Sequence, residues 1–385
     1  MMFSNNCHDV SNLYKYLEML DPNGEFWSIK TLLTYNKPWL FVTSGRSIGK
    51  STNVGCFLVL DYLVNGYSWL YVRRRKDDVL NTAQSFFENV VTLLNDKCGF
   101  DIEFIEYKGG EYFIKLASWD KKKKCGESMA LSLEHKYKSN VFNTDSYKTG
   151  TIVYDEFLPK EATEYLGSYY VNPELEFTKF NELYGTVDRE IGKPFLSATR
   201  SIFLGNSGDT TLYSPFFIGT GIASYICNDA KAKIVSPKDK PWILNRVKRV
   251  KATEDFESSI LYSVSGESDR KYNFENDGGD DYNNEFVSKC DKIDATVLIV
   301  KLKGKLYRIL RSGSDFYIER YNSEAYGRVY SLDLTSHGKD DFRMIIQWHN
   351  DTKLMVIHQA FLTHNLFFDS AATKREFMVY LSLIS

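Results

Sequence analysis

Gly49, Lys50 and Ser51 close the run W-L-F-V-T-S-G-R-S-I-G-K-S at residues 39–51. A lysine and a hydroxyl side by side after a glycine turn are suited to phosphate. Lysine can reach the β- and γ-oxygens of a triphosphate, and the serine hydroxyl can ligate Mg2+. The turn formed by Ser44, Gly45, Arg46, Ser47, Ile48 and Gly49 can aim its backbone N–H groups inward as an anion nest. Ser44 holds the place where the usual G-x-x-x-x-G-K-[ST] pattern has its first glycine. A second constellation lies at Asp155-Glu156, directly after T-I-V-Y at 151–154. An aspartate there can hold Mg2+ through water, and the glutamate can polarise the attacking water. Together the two stretches predict a site for ATP and Mg2+.

Those residues need elements to carry them. Residues 39–43 are an apolar run after Pro38, which predicts a buried strand. A helix follows from Lys50 to about Asn65 and stops at Gly66. Residues 151–154 predict another buried strand, expected beside the phosphate loop. Residues 201–204 predict a third, ending in G-N-S, where Asn206 can sense the γ-phosphate. Between these strands a helix is expected over 173–187, ended by Asp188-Arg189-Glu190. Arg189 can either reach a neighbouring subunit's nucleotide or form a surface salt bridge.

Length and composition bound the rest. At 385 residues the chain has room for two cores. A formal net charge of −2 excludes a globally basic surface, so any nucleic-acid contact must be local. The 6 cysteines show neither C-x-x-C nor zinc spacing, which predicts reduced thiols in a cytosolic protein. No apolar run approaches a membrane span, and the N-terminus lacks a signal pattern.

Taken in order, residues 11–20 predict a helix. Residues 68–72 predict a strand running into Arg73-Arg74-Arg75-Lys76, which can face nucleotide phosphate, DNA phosphate or solvent. Asp77 is expected to cap one helix to about Asn95. Residues 102–133 predict a hairpin insertion with a lysine-rich loop at 121–124, either a soluble turn or a contact to DNA backbone. Residues 209–255 are expected to form a linker and small subdomain. From Thr296 hairpins follow, then a strand over 342–348 and helices over 352–363 and 371–383, an α+β pattern of the ribonuclease-H-like kind. The division is thus 1–208, a P-loop α/β domain of the ASCE/RecA-like class with a parallel-core sheet; 209–255; and 256–385.

With these pieces placed, the chain resembles the DNA-packaging ATPases (encapsidation proteins, terminase-like large subunits) of small tailed phages that prime replication with a protein, the Picovirinae type. The resemblance rests on S-G-R-S-I-G-K-S, W-L-Y-V-R-R-R-K, Y-K-S-N before T-I-V-Y-D-E-F, T-V-D-R-E and F-L-G-N-S. It implies Arg46 near the nucleotide, Asp155 on Mg2+ and Glu156 as catalytic carboxylate. It further implies Arg189 acting on the adjacent subunit's ATP and Lys138 as a second basic residue at that boundary. The implied assembly is a homo-pentameric ring on the portal of an empty procapsid, drawing in double-stranded DNA in the host-cell cytoplasm; some relatives add a packaging RNA as scaffold. The larger terminases carry a two-metal nuclease, whereas here V-L-I-V-K-L-K-G puts lysines where carboxylates are required. The expectation is a nuclease-like fold used for binding. The competing readings are a terminase that also cuts DNA, a P-loop phosphotransferase acting on a small acceptor, and a capsid-docking protein that binds nucleotide without turnover.

Overall fold

The structure is a computed structural model. It describes residues 7–45, 48–131, 143–144, 147–158, 175–191, 198–206, 214–222, 225, 233–247, 286–302, 304–323, 329–331, 342–343, 351–363, 365–370, 373–374 and 376–377. The chain forms two compact units, Met1–Gly219 with Lys231–Gly279, and Thr220–Ala230 with Asp280–Ser385.

The first unit is built on a ten-stranded sheet. Its central strands are β1 (Trp39–Ser44), β2 (Tyr67–Arg73), β7 (Tyr147–Asp155), β8 (Arg200–Asn206) and β10 (Trp242–Arg246). They run parallel in the order β2-β7-β8-β1-β10. One flank adds β3 (Ile102–Lys108), β4 (Glu111–Leu116) and β5 (Lys123–Ala130), the other β9 (Ile234–Val235), and β6 (Asn143–Thr144) pairs with β7. Continuous apolar runs are what strands buried on both faces require. Leu40 and Val42 join the core with Val54, Phe57 and Leu58 of helix α3 (Lys50–Asn65). The alternate residue Phe41 stacks on Phe203 with ring centroids 4.2 Å apart. That face collects Tyr154, Phe157 and Phe180 of helix α6 (Leu175–Ile191), together with Phe216 of α7 (Pro215–Thr220). Part of the aromatic content is thus a cluster of packed rings under this sheet.

Several expectations are corrected. Residues 242–246 are a strand of the main sheet, in register with β1 from Trp39↔Trp242 onward, rather than linker. The reason is visible in P-W-I-L at 241–244, which repeats the P-W-L-F pattern before the phosphate turn and is buried in the same way. The helix expected from Asp77 to Asn95 is split into α4 (Lys76–Thr82), a 3-10 turn at Ser85–Phe87 and α5 (Glu88–Cys98). The turn lets Phe86, Phe87 and Val90 all pack inward, Phe86 and Val90 against Gly55, where an added Cβ would meet Val90 at 2.8 Å, and Phe87 against Trp69. The helix expected over 11–20 is a 3-10 turn, Ser11–Leu13, leading into α1 (Tyr14–Leu20). A short α2 (Lys30–Leu33) precedes β1. Asp188-Arg189-Glu190 lies within α6 and does not end it. The hairpin insertion is a sheet extension, because β5 pairs parallel with β2. Its lysines are engaged locally: Lys122 with Glu106, Lys124 with Glu111 and Glu127, and Lys123 over Trp119. The described cysteines, Cys7, Cys56, Cys98, Cys125 and Cys290, are free thiols.

The second unit contains β11 (Ala295–Leu302), β12 (Lys305–Ser312) and β13 (Asp315–Tyr321), an antiparallel meander turning at Gly304 and Gly313, both with positive φ. β14 (Val329–Ser331), β15 (Phe342–Arg343) and β16 (Leu366–Phe368) add parallel pairings. The order β15-β14-β11-β12-β13-β16 is the ribonuclease-H-like arrangement with one extra edge strand. Helix α8 (Thr352–Leu362) is capped by Asp351, whose carboxylate accepts from the Lys353 and Leu354 N–H groups. Most of the helix expected over 371–383 lies outside the described residues.

Candidate active site

The carboxyl ends of the parallel strands β1, β8 and β7 meet at one edge of the sheet, where open α/β sheets bind ligands. β8 separates the other two, so the acidic strand is one place further from the phosphate strand than expected. Ser44 of β1 is in register with Asn206 of β8, and Leu204 of β8 with Asp155 of β7.

Gly49 has φ +80°, a left-handed conformation that glycine adopts without the penalty of a Cβ. A Cβ there would also lie 3.2 Å from the Phe26 ring. The turn of the chain at Gly49 starts α3, whose N-terminus has no side-chain cap. Sixteen residues of aligned peptide dipoles therefore end on uncapped backbone donors, which suits an anion. The segment before β1 is tied to this corner: Trp27 N–H donates to the Ile48 carbonyl at 3.2 Å and Ile29 N–H to Asn53 Oδ1 at 2.8 Å. Ile48 itself is a core side chain.

Lys50 is buried, and its ammonium donates to the Ser44 hydroxyl, to the Gly45 carbonyl at 3.0 Å and to Asn206 Oδ1 at 2.9 Å. Ser44 thus has work of its own: its hydroxyl accepts from Lys50 and donates to the Gly45 carbonyl at 2.6 Å. Lys50 and Asn206, far apart in sequence, are brought together at this corner. Ser51 follows in the first turn of α3.

Asp155 is buried at the end of β7. Burial raises its pKa above the ordinary carboxylate value; Arg73 opposes that shift, Glu156 adds to it, and Tyr71 and Lys50 oppose it. Tyr71 donates its hydroxyl to Asp155 Oδ2 at 3.0 Å, and Arg73 Nε donates to the Tyr71 oxygen at 2.9 Å. Arg73 also lies 3.5 Å from Asp155 and 2.5 Å from Glu156. Burial alone would lower the Arg73 pKa, but Asp155, Tyr71 and Glu156 outweigh it and push it up. Glu156 has φ +55°, a left-handed conformation costing a non-glycine residue about 1–2 kcal/mol. Its carboxylate is 54% exposed, open to whatever enters the edge.

Sequence reasoning missed Tyr71, Arg73, Arg74 and Glu176. The four cations at 73–76 were assigned to phosphate or solvent, yet Arg73 and Arg74 are buried against acidic groups of the site. The signal was present: a strand of buried apolar residues running without a break into two arginines. Arg46, Ser47 and Lys138 lie outside the described residues. Arg189 lies near the end of α6, and its side chain is likewise outside the description.

Residues 22–380 match the family model described as Podovirus DNA encapsidation protein (Gp16). The DNA packaging proteins of Bacillus phage PZA and Bacillus phage phi29 are each 28% identical over 144 residues, 37% of this chain and 38% of each relative. The chain therefore matches well under half the length of those relatives. The bacteriophage Phi-29 viral genome packaging motor assembly superposes with a TM-score of 0.64 at 19% identity, covering 94% of this chain and 100% of that one. The Phi-28 gp11 DNA packaging motor gives 0.55 at 18% identity, covering 94% and 99%. At such identities the likeness is one of fold, and it extends over both compact units. The match over residues 22–380 shows that this chain belongs to the Podovirus DNA encapsidation protein (Gp16) family.

Proposed function

We propose that the chain is the ATPase of a phage genome-packaging motor of the Picovirinae type, hydrolysing ATP to move double-stranded DNA into an empty procapsid. The observation that carries this reading is the convergence at one sheet edge of Lys50, bonded to Asn206, with Asp155 and Glu156, which Arg73 holds together. Lys50 exchanges its contacts to Ser44 and Gly45 for phosphate oxygens, and Asn206 stays beside it to report on the terminal phosphate. Ser51 and Asp155 are the residues that would hold Mg2+, which would supply neutralisation of charge on the phosphoryl oxygens. Glu156 orients water for in-line attack once Arg73 releases it. Arg189, on α6, acts across a subunit boundary in a ring of five on the portal, in the host-cell cytoplasm. Membership of a DNA encapsidation family and the fold shared with a viral genome packaging motor assembly support DNA as the cargo and assembly into a motor. The ribonuclease-H-like unit serves as a binding surface for nucleic acid.

The test is Mg2+-dependent ATP hydrolysis, with and without double-stranded DNA, by wild type and Glu156→Gln. DNA-stimulated turnover in the wild type and a loss of about 100-fold or more in the variant, with nucleotide binding retained, is the expected result. Equal turnover in the two proteins would overturn the assignment.

A further inference from the structure

Arg74 is buried at the end of β2 and grips two things at once. Its Nε donates to the two carboxylate oxygens of Glu176 at 3.3 and 3.1 Å, and Nη2 donates to Oε1 at 3.2 Å. Nη2 also donates to the backbone carbonyls of Glu156 and Phe157 at 3.1 and 3.0 Å. Tyr154, one residue before Asp155, donates its hydroxyl to the same oxygen of Glu176. Glu176 is only 1% exposed and sits in the first turn of α6.

The placement of these contacts singles out the catalytic turn. Glu156 holds a left-handed conformation that its own side chain disfavours, and the carbonyls on which Arg74 closes are those of Glu156 and the next residue. The Phe157 N–H completes the clamp by donating to the Leu204 carbonyl of β8 at 3.1 Å. Adjacent arginines thus divide the labour: Arg73 takes the carboxylates, and Arg74 takes the backbone that aims one of them. Glu176 makes the hold depend on α6, the helix that carries Arg189 near its other end, about 20 Å away at 1.5 Å per residue.

We propose that Arg74 and Glu176 are a positioning pair, fixing the turn that presents Glu156 and making it answer to movement of α6. This rests on Glu156 being the catalytic carboxylate of the reading above. A small displacement of such a group costs turnover far more than substrate binding.

The test uses the full chain carrying Arg74→Met with Glu176→Met, and separately Arg74→Lys. Replacing a buried ion pair by apolar side chains of similar volume commonly leaves stability intact. The double variant should therefore melt with wild-type cooperativity. Its amides at 156–158 should exchange with deuterium about ten-fold faster in the nucleotide-free protein, with β1 unchanged, and kcat should fall about ten-fold or more, with KM for ATP within about two-fold. A pair that merely holds the fold together predicts wild-type exchange and kcat in that variant, and this result would overturn the proposal. Arg74→Lys keeps the charge opposite Glu176 but cannot span both carbonyls. It should show the same losses, and it decides the matter if the double variant does not fold. Faster exchange at 156–158 in a protein whose wild type hydrolyses no ATP would support the pair while sinking the ATPase reading. Unchanged exchange in a folded variant would sink the pair whatever the turnover.

Discussion

The Arg73 guanidinium lies 2.5 Å from a carboxylate oxygen of Glu156, so the residue proposed to orient water is engaged by a neighbour. The same guanidinium lies 3.5 Å from Asp155. Distance ranks Glu156 as the stronger partner; burial ranks Asp155, whose side chain is 10% exposed against 54% for Glu156. Solvent screening weakens exposed pairs so much that burial should win. Double-mutant cycles on unfolding free energy, with Arg73→Gln against Asp155→Asn and against Glu156→Gln, should give coupling of about 2 kcal/mol in the first and under about 1 kcal/mol in the second. The reverse ranking would show that proximity outweighs burial here.

Asp155 should make the metal-free protein less stable as pH rises. Burial holds its folded pKa above the unfolded value. Its contribution to stability is thus fully present below the ordinary carboxylate value, near 3.9, and is lost as pH rises through the folded value. Asp155→Asn removes that dependence. In EDTA, thermal melts from pH 4 to pH 8 should show the variant gaining progressively on wild type, while Mg2+-dependent turnover is lost. A variant that loses ground to wild type as pH rises would contradict the sign.

How much of this was legible in the sequence depended on whether a residue's role is local. G-K-S after an apolar run and D-E after another each lie on one short segment, so strand, turn and helix could be assigned from neighbours alone. Lys50 at the start of a helix and Asn206 at the end of a strand were each assigned to phosphate, but the hydrogen bond between them was not legible, because it depends on β8 lying beside β1. Arg73 and Arg74 were not placed, because their acidic partners arrive from β7 and α6, and no periodicity shows which strands lie side by side. The strand at Trp242 was missed for a different reason. It is separated from the other core strands by segments with weak patterning, although its P-W-I-L matches the P-W-L-F of β1.

Gly49→Ala should weaken nucleotide binding about ten-fold and cost about 1–2 kcal/mol of stability, because φ +80° admits a Cβ only with strain. The Phe26 ring is the nearest obstacle to that Cβ, at 3.2 Å, and is itself 47% exposed. Adding Phe26→Ala removes the contact and leaves the backbone conformation untouched. Titration with a fluorescent ATP analogue should show no recovery in the double variant; full recovery would mean that the ring, not φ, was the constraint.

Lys50→Ala and Arg189→Ala subunits should complement one another when mixed. Lys50 acts within its own subunit, bonded to Ser44 and Asn206, whereas the reading above gives Arg189 to the neighbouring subunit's nucleotide. A mixed ring then contains boundaries where an intact Lys50 site meets an intact Arg189. DNA-stimulated ATPase of the mixture should exceed that of either variant alone several-fold, consistent with the large rate effect of a trans-acting arginine. Strictly additive rates would place Arg189 in cis or outside the reaction.

The second unit should bind nucleic acid without cutting it. A two-metal nuclease needs carboxylates clustered on the central strands of the sheet, close enough to share two cations. The two middle strands, β11 and β12, and β14 beside them read A-T-V-L-I-V-K-L, K-L-Y-R-I-L-R-S and V-Y-S, without aspartate or glutamate, while on β13 Glu319 is paired with Arg308. Lys301 and Arg308, opposite Leu306 and Ile299 in the β11–β12 ladder, are cationic side chains that cannot ligate Mg2+. Supercoiled plasmid incubated with the full chain and Mg2+ or Mn2+ should remain intact, while retardation of double-stranded DNA should weaken steeply with salt. Nicking that EDTA abolishes would place a metal centre on residues other than these strands and restore the cutting terminase as the better reading.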